Sequence, residues 1–172
     1  MARAPNSAGQ SQAESGQRSQ PLKLDSLQRD VLSPQIEAFL DAARDPEGQA
    51  VYRALKDAVN QGEVPSEMAA RLGAIVEVAL SSGRIRRLFG PGAELSLNSL
   101  HQRTPQGLQL GSSISSLNRA LGELKGSQIE SIVAVLRAPG AYALTIKTDS
   151  AQLTIRFEKE GVRLETVEVG SG

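Results

Sequence analysis

Between Ala141 and Val169 the chain reads AYALTIKTDSAQLTIRFEKEGVRLETVEV. Tyr142, Leu144 and Ile146, then Leu153, Ile155 and Phe157, recur at every second position, with Ala143, Thr145, Thr154 and Arg156 between them. A period of two sends successive side chains to opposite faces, so these runs predict antiparallel strands with one apolar face. The breaks between runs set the registers. A four-residue loop from Thr148 to Ala151 places Tyr142 opposite Phe157, Leu144 opposite Ile155, Ile146 opposite Leu153 and Thr145 opposite Thr154. A two-residue loop at Glu160-Gly161 places Phe157 opposite Leu164, Arg156 opposite Glu165 and Glu158 opposite Arg163. Opposite charges then face each other, as stable cross-strand pairs do. Phe157 and Leu144 are expected in the core. The Thr, Lys, Arg and Glu of the other face read as the wet side of an antiparallel sheet, with a flat platform for a partner as the alternative.

The preceding run, IESIVAVL, breaks this alternation because it is apolar on both faces. With Pro139-Gly140 as the turn, Val133 and Val135 join the core, and Ile132, Ala134 and Leu136 stand on the outside. In a simple meander this strand lies at an edge, where uncovered apolar surface invites association. The three outward residues are therefore the candidate interface. Either the N-terminal helices cover them, or a second copy does, which makes a homodimer.

The sheet needs a lid, and SSISSLNRALGELKG supplies one: Ile114, Leu117, Leu121 and Leu124 share a helical face, with Ser113 as cap and Gly126 just past the end. Upstream, three short amphipathic helices are expected. From Asp25 the pattern turns helical, with Ser33-Pro34 as the cap of a first helix that buries Ile36, Phe39, Leu40 and Ala43. The second follows Asp45-Pro46 and the third Pro65-Ser66, ending near Gly62 and Gly83. The segment from Gly83 to Gly107 is cut up by Gly and Pro, with a short helix over 93–102. Residues 1–24 contain little to bury and are expected to be a disordered tail. The chain thus divides into that tail, a helical bundle at 25–104, and a helix-plus-sheet module at 105–172. The fold class is α+β: an N-terminal helical bundle followed by an amphipathic helix packed on a four-stranded antiparallel meander.

Chemistry is harder to find. Zero cysteines exclude disulfides, thiolate metal sites and cysteine nucleophiles. His101 is the one histidine, and no Ser–His–carboxylate or metal-ligand spacing accompanies it. FGPGAE has glycine spacing without the lysine of a phosphate loop. No catalytic residue, cofactor or metal is expected. The formal net charge is +0, so no global field draws nucleic acid or an anionic surface. No secretory signal or membrane-length apolar run is present, and a bacterial-type, cytoplasmic protein is the default. Arg84, Arg86 and Arg87 form the one basic cluster, with Arg103 further on; these four are candidate contacts for a partner or an anion. The cluster also fits the C-terminus of the preceding helix and the acidic N-terminal helices. The expected function is non-catalytic protein–protein interaction, as an adaptor, assembly or regulatory subunit with an unidentified protein partner. Weak nucleic-acid or phosphate binding through Arg84–Arg87 is the runner-up, and an enzyme of unfamiliar type comes third.

Overall fold

Asp25 starts the first helix, α1 (Ser26–Ala42), through a reciprocal box. The Gln28 N–H donates to Asp25 Oδ1 at 2.7 Å, and the Asp25 N–H donates to Gln28 Oε1 at 3.2 Å, which satisfies two donors of the first turn. The expected start at Ser33-Pro34 is displaced, and Pro34 lies inside α1. The earlier start buries Val31 and Leu32, which offsets the backbone bond that Pro34 cannot make. The computed structural model describes residues 20–158 and 161–169. The boundary at Asp25 also moves. β1 (Leu22–Lys23) pairs antiparallel with β2 (Glu63–Val64), and Leu22 and Leu24 are buried in the bundle. The rest of the expected tail, residues 1–19, lies outside the described residues.

The next two helices follow their caps. α2 (Pro46–Gln61) begins at Asp45, whose carboxylate accepts from the Gly48 N–H, and ends at Gly62. α3 (Ser66–Ser81) follows Pro65. The segment with the least legible sequence is α4 (Arg84–His101), a helix interrupted at Gly90 (φ +84°) just before Pro91. The expected helix at 93–102 is its second half. Gly90 adopts a left-handed backbone that only glycine takes without cost, so the Gly-Pro pair bends the helix rather than ending it. Leu32, Ile36, Leu55, Leu72, Ile75, Ile85, Leu97 and Leu100 fill the bundle core.

α5 (Pro105–Glu123) starts well before the expected cap at Ser113. Thr104 is the cap, its hydroxyl accepting from the Gly107 N–H at 3.3 Å, while Ser113 sits mid-helix and donates to the Gln109 carbonyl at 3.1 Å. The α4–α5 corner is tight because Gly107 has no side chain. A Cβ there would overlap the His101 carbonyl and come within 2.7 Å of Gln102 Cα. The first turn of α5 packs on α3, where Gln106 Nε2 donates to the Ala70 carbonyl at 2.8 Å. Its later turns lie over the sheet.

That sheet is a meander in the order β3-β4-β5-β6: β3 (Ile129–Ala138), β4 (Ala141–Thr148), β5 (Ala151–Glu158) and β6 (Gly161–Val169). The β4–β5 register is the expected one, including Tyr142 opposite Phe157 and Thr145 opposite Thr154. The other two hairpins differ. β6 slides by two residues, so that Glu158 faces Gly161, Arg156 faces Arg163 and Phe157 faces Val162. Residues 159–160, which include part of the expected loop, lie outside the described residues. An extra residue on β6, Glu165, forms a bulge that carries Val167 round to face Leu153. In the β3–β4 hairpin, Arg137 is the extra residue between Leu136 and Ala138. One added residue inverts the faces of everything before it. Ile132, Ala134 and Leu136 therefore face Ile146, Leu144 and Tyr142 on the apolar side, and Val133 and Val135 stand on the polar side, the reverse of the expectation.

The second core is small. Leu117 and Ala120 of α5 bury Leu153, Ile155 and Val162, with Leu124, Leu144, Ile146 and Leu164 partly covered. α5 contacts β6 and, less extensively, β5. Phe157, expected in the core, is exposed, because it lies on the correct face but beyond the helix.

Candidate interaction surface

The four candidate arginines are not one patch. Arg84, Arg86 and Arg87 occupy the first turn of α4 and are exposed. Arg86 pairs with Glu94 on its own helix at 3.4 Å, not with the acidic helices. Gly83 provides no side-chain cap for this turn. Arg103 follows the far end of α4 and donates to the Lys23 carbonyl at 3.1 Å, tying β1 to the helix corner. His101 borders an open cleft of about 650 Å³, lined by Asn98, Gln102, Leu108 and Ile114 among others. Its Nε2 is buried without a hydrogen-bond partner, and among the described residues no carboxylate lines the cleft. No cluster of His, Asp and Glu among the described residues is arranged to hold a metal. No helix among them is long and apolar enough to cross a membrane.

The polar face of the sheet satisfies itself. The Thr145 and Thr154 hydroxyls lie 3.2 Å apart. Arg156 reaches Glu158 at 2.8 Å and Glu165 at 3.5 Å, Arg163 reaches Glu158 at 3.7 Å, and Lys147 pairs with Glu130 at 2.7 Å. The charge pairing read from the sequence survives the shifted register because long side chains reach diagonal neighbours. Most of the charges on this face pair with one another; Glu168, opposite Gln152, makes no ion pair among the described residues.

The edge strand is different. All ten residues of β3 are exposed, so the bundle does not cover it. β3 has one hydrogen-bonded neighbour, β4, which leaves its outer row of backbone donors and acceptors open. Its ladder with β4 is regular over Ser131–Leu136 and broken at each end, by bulges at Glu130 and Arg137. Those two are also its only charged residues. The six between them, SIVAVL, present Ile132 and Leu136 on one face and Val133 and Val135 on the other, each more than two-fifths exposed.

Beside this edge the apolar face of the sheet is only half covered. Ser113 of α5 borders a cleft with Gly161, Val162 and Arg163 of β6. The sheet contacts of α5 are with β6 and, less extensively, β5, and Ile114 and Leu121 on its flank are exposed. Towards the β3 edge, Ile132, Leu136, Tyr142 and Phe157 share that face and form an open apolar shelf. The strand lies where the alternation placed it, with its two faces reversed from the expectation. The shelf gave no local signal, since its exposure depends on where α5 comes to rest.

No protein-family model matches the chain, and no curated protein or solved structure shows significant similarity to it.

Proposed function

We propose that this chain is a non-catalytic protein-interaction subunit, an adaptor or assembly component, that binds through β3 and the shelf beside it. The observation that carries this reading is an edge strand of ten residues, exposed throughout and apolar on both faces over its regular part. Edge strands without a partner are ordinarily shortened, charged or covered, because an open edge recruits other strands. Here the charges stand at the ends and the middle is bare. An incoming strand would add backbone hydrogen bonds along β3, while its alternate side chains extend the apolar shelf on one face and meet Val133 and Val135 on the other, the arrangement of β-augmentation. Exposed apolar surface of this continuity marks interaction sites on soluble proteins. The cytoplasm is the compartment proposed for it, in keeping with the lack of cysteine.

The test compares the intact chain with an Ile132→Lys/Leu136→Lys variant as baits in extract from the native host. Proteins retained by the first and lost by the second identify the partner. Identical retained sets, with both baits folded by circular dichroism, refute the reading.

A second reading, weak nucleic-acid or phosphate binding, is favoured by one observation. Three exposed arginines and exposed Phe89 gather at a helix start whose N-cap, Gly83, has no side chain, the Ser82 hydroxyl accepting only from the Arg84 N–H at 3.3 Å. Arginine and an aromatic are the groups that hold phosphate and stack bases. If they do so here, affinity for mixed single-stranded nucleic acid falls steeply with salt, and replacing Arg84, Arg86 and Arg87 with Gln abolishes it. No shift at low salt ends this reading.

A further inference from the structure

We propose that the partner docked on β3 is a second copy of this chain, antiparallel to the first and centred on Ala134, so that two four-stranded sheets become one of eight. This rests on the reading of β3 as the docking edge and adds the occupant and the register.

Symmetry restricts the choices. Two copies of β3 can pair antiparallel about a two-fold axis normal to the sheet, which keeps each face on its own side. A residue can then oppose only itself or one an even number of positions away, which lies on the same face. Centring on Ala134 sets Ile132 opposite Leu136 and Val133 opposite Val135, each twice, with Ala134 opposite its own counterpart. Every pair in the middle of the strand is apolar against apolar. Centring one residue earlier, on Val133, sets Ser131 against Val135 and Glu130 against Leu136.

Charge selects the same arrangement. The ends of the regular segment carry Glu130 and Arg137. In the Ala134-centred pair, Arg137 of one copy faces Ser131 of the other, with Glu130 beside it in the bulge. An acid meets a base at both ends. Parallel pairing about an axis along the strands would set Glu130 against Glu130 and Arg137 against Arg137, a like-charge contact that disfavours the pair. Arg137 makes no ion pair among the described residues, whereas Glu130 already holds Lys147.

The other edge explains why the assembly closes at two. A head-to-tail contact of β3 on β6 would propagate into a filament. It would also lay SIVAVL along a strand that carries Arg163, Glu165 and Glu168. The β3–β3 contact matches apolar to apolar and leaves the charged edges outermost.

The intact chain has no cysteine, which makes the register directly measurable. Residues directly opposite in an antiparallel pair lie within the Cα separation a disulfide spans, about 4.5–5.5 Å against a range of roughly 4.4–6.8 Å. Sedimentation across a dilution series is expected to show a particle of twice the 18.2 kDa chain mass that dissociates on dilution. Leu136→Lys is expected to weaken it at least tenfold. Under mild oxidation Ala134→Cys links to itself in high yield. Val133→Cys does so poorly alone but links well when mixed with Val135→Cys. A monomer at every concentration overturns the proposal and leaves the docking-edge reading to the bait comparison. A dimer linking best at Val133 alone overturns the register, and one linking at none of these positions places the contact elsewhere.

Discussion

Leu153 and Leu136 face the same side of one sheet, and truncating each to alanine measures how far the cover of α5 extends. Leu153 is 1% exposed beneath Leu117 and Ala120, whereas Leu136 is 66% exposed at the edge. Leucine to alanine removes three carbons, a transfer loss of about 2.4 kcal/mol when the side chain is fully buried, at ~0.8 kcal/mol for each. A closed cavity raises the expected cost at Leu153 to about 3–4 kcal/mol. At Leu136 only a third of the side chain is out of water, so the same arithmetic leaves ~0.8 kcal/mol, with no closed cavity to add. Urea denaturation reads both, with hydrogen exchange of the β5 amides to follow the sheet separately from the bundle. Protein is kept dilute so that association through β3 does not stabilise the wild type. Equal losses, or a larger loss at Leu136, would mean that α5 lies over β3 and β4 instead, and the shelf would not exist.

Three other outcomes follow from particular contacts. Asp25→Ala removes the acceptor for the Gln28 N–H and is expected to cost about 1 kcal/mol. Ser33→Ala, at the cap expected from sequence, loses a hydrogen bond from its half-buried hydroxyl to Asn60 Oδ1 at 3.0 Å and is expected to cost about 0.5 kcal/mol; faster hydrogen exchange of the Gln28 amide in the Asp25 variant alone separates the assignments. Gly107→Ala forces a Cβ into the backbone of His101 and Gln102; because backbone cannot rotate aside, a net loss of about 1–3 kcal/mol is expected despite alanine's better helix propensity. A Gly107→Ala protein as stable as wild type would show that the α4–α5 corner is looser than described. Arg86→Ala breaks a largely exposed ion pair with Glu94 and is expected to change stability by under ~1 kcal/mol, so a larger drop in urea midpoint would reveal a structural role for the arginine cluster.

The sequence alone determined the elements whose information is local. The four strands stand within a residue or two of where alternation and turns placed them, α2 and α3 begin at their expected caps, and the β4–β5 register follows from its loop. Period, cap and turn each involve neighbours in the chain, so the residues that cause the structure are the residues one reads. The tertiary structure decided the rest. Bulges at Arg137 and Glu165 each add one residue, and a single residue reverses the face of every side chain on the far side of it from the turn; nothing in the composition of either segment marks the insertion. Pro34 and Ser113 look like helix starts until the burial of Val31 and the packing of Gln106 on α3 draw both helices further back. The edge strand was legible as doubly apolar, but its exposure was not. That depends on α5 being held by the bundle at its first turn, so that its later turns reach β5 and β6 and stop short of β3. A helix's lateral position over a sheet is set by contacts distant in sequence, and those exist only once the chain has folded.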